Sequence, residues 1–468
     1  MGTINSAIGL ITAALDADQQ ALNVTSNNVA NASNQSYTRE VPNWQESQPI
    51  YINGIAYGTG VTVTGGISQR DRVLEQRLQQ QQQLSASSSS LLNALTTVQS
   101  NFTPASSTSA AGNIGTDITN FFDAYTELES SPTSNPLRQQ VLSSAATLAG
   151  DISSAANSLN AQQSSLDQSA TTIVTQVNAI SASLAQMNQQ IQSISPHADA
   201  GPLEDERQSD LSQLSQLIGI NQITTEQNGL SVTTTGGQLL ASEGSSFQIT
   251  TGTVNGFTHF FVGATDITTE LASGGGQLGG LLTARDQSIP STVSSLDQLA
   301  YGLATSANAV NNAGTDLVGD NGNAGNVFNA PSQVAGSAQS LQVVLTDPDK
   351  IAAAGLGAGT GDNSNALAAA NLATQAIIGG QTPSDFYSNL VSTLGATVSQ
   401  TTTENTALAA SVTQLQSQRN SLSAVDLNEE ASNLEEFQRS YQAASQVFTI
   451  LNSVMASALN LGVETAVA

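Results

Sequence analysis

Ile152, Leu159, Leu166, Ile173, Ile180, Met187 and Ile194 stand seven residues apart without a break, and Ala170, Val177, Leu184 and Ile191 fill the alternate row. A stripe with a mean period of 3.5 is the mark of a helix that packs along another helix. At 1.5 Å per residue, the segment 152–194 predicts a rod of about 65 Å. That length excludes a small compact ball. Ser195-Pro196 is the expected stop.

Both ends of the chain repeat the pattern. Near the start, Ile8, Leu15, Leu22 and Val29 are seven apart; Ile4 and Ile11 lie beside them, and Asp18 interrupts the second row. Near the end, Leu427, Leu434, Tyr441, Phe448 and Met455 form one row, and Phe437, Ala444, Leu451 and Ala458 the other. Asp426, Glu429 and Glu430 sit where a helix N-terminus favours negative charge. These helices are too narrow-faced to make a core alone. They either join a bundle within the chain or pair with each other and with copies in neighbouring subunits.

Between these landmarks, helix is predicted over 4–31, extended chain over 37–66, and helix again from Ile67 through Phe102, with Gln79–Gln83 as its solvated face. A short helix covers 203–218. Short β-type runs follow at Leu230, Phe247 and Phe257, with Gly236-Gly237 as a hairpin turn and the Gly-rich segment 274–280 closing the unit. Helix returns over 281–312. Residues 313–384 read as Gly-, Asn- and Ala-rich loop with one strand-like run at Leu341–Leu345, and the helix 385–423 precedes the terminal one. The expected fold is mainly α with a β insertion: a long coiled-coil-like rod built from both chain ends, plus a small β-rich outer domain. Its parts are an inner domain of terminal helices (1–36 and 426–468), a rod (37–222, 278–312 and 385–425), and an outer unit (223–277 with part of 313–384). Such nesting predicts that both termini meet at one end of the molecule.

Composition narrows the function. Charged residues are 10% of the chain and aromatics 4%, which suits slender helices with small aliphatic seams. With 36 acidic residues against ten Lys and Arg, the net charge is −26. Phosphate contacts need clustered basic residues, so nucleic acid is not an expected partner. No apolar run approaches a membrane span, so no membrane insertion is expected. Cysteine is absent, which removes thiolate chemistry and disulfides. The first basic residue is Arg39, so the N-terminus lacks the positive region of a secretory signal peptide.

Nothing points to catalysis, a cofactor or a metal. His197 and His259 have no neighbours at metal-ligand spacing. The run Gly355–Gly361 lacks the G-x-G-x-x-G spacing, and Asp316, Asp320, Asn321 and Asn323 do not fit an EF-hand. Glu429 and Glu430 read as helix N-terminal charges.

Two motifs carry a resemblance. Ser26-Asn-Asn-Val-Ala-Asn-Ala-Ser33 with Tyr37-Thr-Arg-Glu-Val41, and Ser423-Ala-Val-Asp-Leu-Asn-Glu-Glu430 with Asn433–Val447, resemble the terminal motifs of bacterial flagellar axial proteins. Their combination most closely resembles the hook-associated protein 1 family of the hook–filament junction. Gly58-Thr-Gly-Val61, Arg70-Asp71, Arg285-Asp286 and Asp347–Ala352 are similar to that family as well, while Ser36 and Glu40 stand where it commonly has Gly and Gln. The motif residues are Asn27, Asn28, Ala30, Asn31, Tyr37, Arg39, Asp426, Leu427, Glu429 and Glu430. The expected assembly seam is Ile8, Leu15, Leu22 and Val29 with Leu434, Phe437, Tyr441, Ala444, Phe448, Leu451 and Met455.

The resemblance implies a structural, non-enzymatic subunit of the flagellum, secreted by the flagellar type III route and assembled as a ring at the junction. It implies contact with the hook protein on one side and hook-associated protein 3 on the other, and an export chaperone on the C-terminal helix. The terminal helices are expected to gain order on assembly. The competing readings are another axial protein (hook, rod or flagellin type) and a secreted coiled-coil adhesin or effector that binds through its β insertion.

Overall fold

The computed structural model describes residues 2–34, 36–52, 55–102, 114–195, 200–224 and 229–464. His197 and the expected stop at Pro196 lie outside them. The chain opens with α1 (Gly2–Asn31), then β1 (Glu40–Glu46), β2 (Ile50–Ile52), β3 (Ile55–Tyr57) and β4 (Val61–Ser68). Three helices follow, α2 (Arg72–Ser100), α3 (Ile114–Ser130) and α4 (Asn135–Ile194), and then the shorter α5 (Gly201–Leu217). The β insertion comprises β5 (Ile220–Thr224), β6 (Leu230–Thr234), β7 (Leu239–Ser242), β8 (Ser245–Ser246), β9 (Ile249–Val254), β10 (Phe257–Val262) and β11 (Thr265–Asp266). After it come α6 (Thr268–Gly274), α7 (Gly276–Thr283), a π-helical turn at Ala284–Ser288 and α8 (Ile289–Ala313). The short α9 (Ser337–Ser340) and α10 (Ser364–Asn371) precede α11 (Pro383–Ser423) and α12 (Leu427–Glu464).

The heptad helix is longer than its periodic stretch. α4 runs 60 residues, about 90 Å, because Pro136 begins its first turn where a missing N–H costs nothing. Its N-terminal half, Val141 to Leu159, packs with α3, α8, the end of α2, the start of α11 and buried residues of 327–378 into one core. Its C-terminal half, Ala170 to Ile191, packs with α5, α6, α7 and the strands into a second. One helix thus skewers two cores.

The β insertion is two antiparallel sheets, β5-β6-β7-β8 and β11-β10-β9. The β6–β7 hairpin turns at the expected glycines, with Gly237 at φ +91. Between the two cores, Asp167 of α4 accepts from Thr258 N (3.1 Å) and Oγ1 (2.7 Å) and pairs with Arg285, which is 1% exposed on its side chain. The π turn carries Arg285, which also donates to the Thr258 carbonyl (2.9 Å).

Three expectations change. The Gly-rich segment 274–280 is mostly helical. A Cβ on Gly280 would lie 2.2 Å from the Ser87 carbonyl of α2, so the glycines are there to let α7 and α2 touch backbone to backbone. The run Leu341–Leu345 makes only one bridge, Val343 to Phe328, not a strand. Residues 313–384 were expected partly in the β-rich unit; their buried members Val327, Phe328, Leu341, Ile351 and Ile378 pack instead in the core around the N-terminal half of α4.

α2 begins at Asp71, whose carboxylate accepts from Val73 N and Leu74 N. α11 packs along α2 and α12 packs along α1. Both ends of the chain therefore meet, as the nesting predicted.

Candidate assembly site at the joined termini

Where the chain ends meet, a small number of polar side chains is buried together. Asn28, 1% exposed, sits in the last turns of α1. Its amide donates to the Glu40 carbonyl (2.8 Å) and to Glu430 Oε2 (3.0 Å), and its Oδ1 accepts from Glu40 N (3.0 Å) and the Tyr37 hydroxyl (2.8 Å). Four partners fill the amide's capacity, so no other side chain of this size substitutes.

Arg39 leads into β1. Its Nε reaches Glu430 Oε1 at 2.7 Å and its Nη2 reaches Glu429 Oε1 at 2.7 Å, while its backbone N–H donates to the Ser423 carbonyl at the end of α11 (2.9 Å). Glu430 is 1% exposed. Burial opposes the Arg39 charge, but its bonds to Glu430 and Glu429 outweigh this and hold the guanidinium's pKa above its usual value. Burial, reinforced by the negative Glu40, Asp205 and Glu430, pushes the Tyr37 hydroxyl pKa up, so it stays a donor. Asp426 begins α12, accepting from Asn428 N (2.9 Å) and, through its carbonyl, from Glu430 N (2.9 Å).

A second ring of charges extends the network to α2 and α5. Thr38 N donates to Asp205 Oδ2 (3.0 Å), and Arg70 binds Asp205 and the Glu204 carbonyl (3.0 Å) with Glu75 3.8 Å away. Burial pushes Asp205 and Glu75 upward against the pull of Arg70. Burial also lowers Arg207 to about 10, with Glu204 opposing. These groups hold α1, β1, α2, α5, α12 and the end of α11 in one geometry. They are acids and bases paired with one another, with no nucleophile poised beside a general base among them.

Among the expected motif residues, Asn28, Tyr37, Arg39, Glu429 and Glu430 come together directly. Asn27 donates to the Tyr37 hydroxyl (3.3 Å), and Asn31 folds back on Asn27 (3.0 Å). Ala30 and Leu427 are exposed and outside the network. Sequence reasoning missed Asp205, Glu75 and Arg419, whose guanidinium reaches the Tyr37 carbonyl (3.5 Å), and it quoted Thr38, Glu40 and Ser423 within the motifs without giving them a place in the network. The run Glu204–Arg207, dense in charge within a charge-poor chain, was the available signal.

Asn28 near the end of α1 faces Glu430 near the start of α12, so the two helices run antiparallel. Leu434, Phe437, Ala444, Phe448, Leu451 and Met455 are half-buried on this seam, and Tyr441 is 36% exposed. On α1 the buried apolar positions are Ala17, Ala21 and Val24, which sequence reasoning passed over, and Asp18, Thr25 and Asn28 are buried beside them. Ile8, Leu15 and Leu22 are half-buried, and Val29 is 43% exposed. Trp44 of β1 lies against Phe437, ring centroids 6.0 Å apart. A second stripe of α12, Val447, Ile450 and Val454, is left open at 45%, 60% and 46% exposure.

Elsewhere, His259 pairs with Asp266 across two surface strands (2.7 Å). Asp316 caps its own loop through Val318, Gly319 and Asp320 N–H groups. Among the described residues, no group of three or more acids and histidines is arranged to hold a metal, and no helix is long and apolar enough to cross a membrane.

A long rod whose ends return to form a pair of narrow, incompletely buried helices is the arrangement implied by the resemblance of the terminal motifs to bacterial flagellar axial proteins. Comparison with known proteins agrees. Residues 105–328 match the family described as flagellar hook-associated protein FlgK helical domain, and residues 386–461 match the bacterial flagellin C-terminal helical region. Flagellar hook-associated protein 1 of Escherichia coli (strain K12) is 24% identical, the match covering 98% of this chain and all of that one. The protein of the same name from Bacillus subtilis (strain 168) is 25% identical over 97% and 98%. The solved structure of the flagellar hook junction protein FlgK from Burkholderia pseudomallei shares the fold, with a TM-score of 0.65 at 18% identity, covering 74% of this chain and 100% of that one. The likeness to flagellar hook-associated protein 1 thus runs over nearly the whole chain, and the chain is a structural component of the bacterial flagellum.

Proposed function

We propose that this chain is the subunit that joins hook to filament, assembling as a ring through its terminal helices. The observation that carries the reading is the double stripe of α12. One stripe is covered by α1, and the other, Val447, Ile450 and Val454, faces outward. Exposed apolar surface at a helix pair this narrow calls for cover from another subunit. In this reading the seam residues from Ile8 to Val29 and from Leu434 to Met455 line the assembly, the α4 rod surrounds it, and the β insertion projects outward. The hook protein binds on one side and hook-associated protein 3 on the other. The protein is secreted through the flagellar type III route, and a chaperone shields α12 beforehand.

Deleting the gene and complementing with the full chain or with residues 1–425 tests this. The deletion strain is expected to be non-motile and to release flagellin into the medium, and only the full chain should restore it. Unchanged motility on deletion rejects the reading. Phe448→Asp places a charge in the α1–α12 seam at a cost of several kcal/mol and should abolish junction assembly.

A further inference from the structure

We infer that the β2–β3 hairpin is a second assembly contact, docking on the open stripe of α12 in a neighbouring copy of this chain. The inference rests on the junction reading and adds a specific pair of surfaces to it.

The hairpin presents an apolar face to solvent. Ile50 pairs with Tyr57, and Ile55 is two residues from Tyr57, so the three share one face. They are 42%, 48% and 59% exposed respectively for Ile50, Tyr57 and Ile55, and Tyr51 on the other face is 73% exposed. A two-stranded hairpin is marginal alone in water. Four large exposed apolar residues on one are a surface awaiting cover.

Charge identifies the cover. The chain carries −26 overall, so two copies repel wherever their charged surfaces meet. No Asp, Glu, Lys or Arg occurs between Ser47 and Gln69, and none between Ser440 and Val463. The hairpin lies in the first charge-free stretch and the open stripe of α12 in the second. Two copies can join these surfaces without bringing like charges together.

Position supports the same pairing. The ribbon β1–β4 carries the hairpin from the Arg39 network along α1: Trp44 contacts Phe437, and Gly60 sits against Leu10. Equal steps along the antiparallel helices from the Asn28–Glu430 contact bring Leu10 level with Phe448. The end of the ribbon from which the hairpin extends therefore stands level with the open stripe, as a sideways contact between adjacent subunits requires. The two patches differ, so the contact is head-to-tail and can propagate around a ring.

The absence of native cysteine makes the test direct. Flagella would be isolated from cells making Tyr51→Cys chains together with Ile450→Cys chains, then treated with a short bismaleimide. A cross-linked heterodimer is expected, with none when Ile450→Cys is replaced by Val318→Cys, an exposed position elsewhere. Assembled flagella without the heterodimer overturn the proposal while leaving the junction reading intact. A photo-cross-linker at position 51 that captures a different flagellar protein also overturns it. Tyr51→Asp/Ile55→Asp should fold with an unchanged melting curve and reduce motility at least tenfold; a motile double variant refutes the contact. If the unsubstituted chain is absent from purified flagella, the junction reading falls, and this inference with it.

Discussion

Along α4 the heptad residues Ile152, Leu159, Leu184 and Ile191 are wholly buried, whereas along α12 the equivalent Phe448, Leu451 and Met455 are half-buried and Tyr441 is more open still. The two helices share a period and differ in what their surroundings supply. Around α4 the chain provides α3, α8, α5 and two sheets. Around α12 it provides α1 and a thin β ribbon. Periodicity therefore reports that a helix wants a partner, and burial reports whether that partner is in the same chain.

Substitutions can sharpen or break this contrast. The largest effect is expected from Leu184→Asp, which puts an unpaired charge in a filled core and should destabilise the whole chain by about 4–5 kcal/mol or more. Urea unfolding followed by circular dichroism would read it; a shift like that of a surface mutant would mean α4 is not the central support described. Next comes Arg39→Ala, which strands Glu430 in the interior at a cost of about 3–5 kcal/mol. That loss should be confined to the ends, so hydrogen exchange should quicken in α1 and α12 while α3 and α4 stay protected. Uniform loss of protection would show the ends and the cores to be one cooperative unit.

A smaller effect separates the regions by pH. Burial and the neighbouring Asp151 raise Asp117, on α3, to about 6. A carboxyl bound to its proton more tightly when folded than when unfolded supports the fold fully below about pH 4, and that support is lost as pH rises through about 6. Asp117→Asn should remove a loss of roughly 2 kcal/mol over this window, the ~3 kcal/mol of a rise from about 4 to about 6 reduced by solvent screening, visible in the melting temperature of the cores. The same stability profile in the variant and the original would rule this out. The smallest expected effect on the monomer is that of Val454→Ser, within about 0.5 kcal/mol, yet it should impair junction assembly. A variant that assembles normally would remove the open stripe from the interface.

The rod was legible because its signal is repetition, and repetition survives without knowing the neighbours. The first turns of α4, from Asn135, were not, since Val141, Leu142, Ala145 and Leu148 face a broad core and follow no strict heptad. Gly276, Gly279 and Gly280 read as loop because propensity cannot anticipate close backbone contacts, which they make with Leu217–Ile218, with the Leu271 and Ala272 carbonyls, and with α2 respectively. The motif residues at the termini were legible as a set, but their geometry was not. Glu40, a departure from the common family pattern, gives the network its backbone N–H and carbonyl rather than depending on its side-chain type. Asp205 is 167 residues from Thr38, its partner, and no local pattern links them.

The Arg39–Glu430 contact spans 391 positions of sequence. In time, that distance makes it a late event. Contacts between remote segments must wait for the intervening chain to be ordered, and they form slowly. The helices of the two cores, whose partners lie closer in sequence, can assemble while the opening segment still lacks its partner. Closure of the clamp therefore requires segments near opposite ends of the sequence to be present together, and loss of either leaves the charges of the other unpaired.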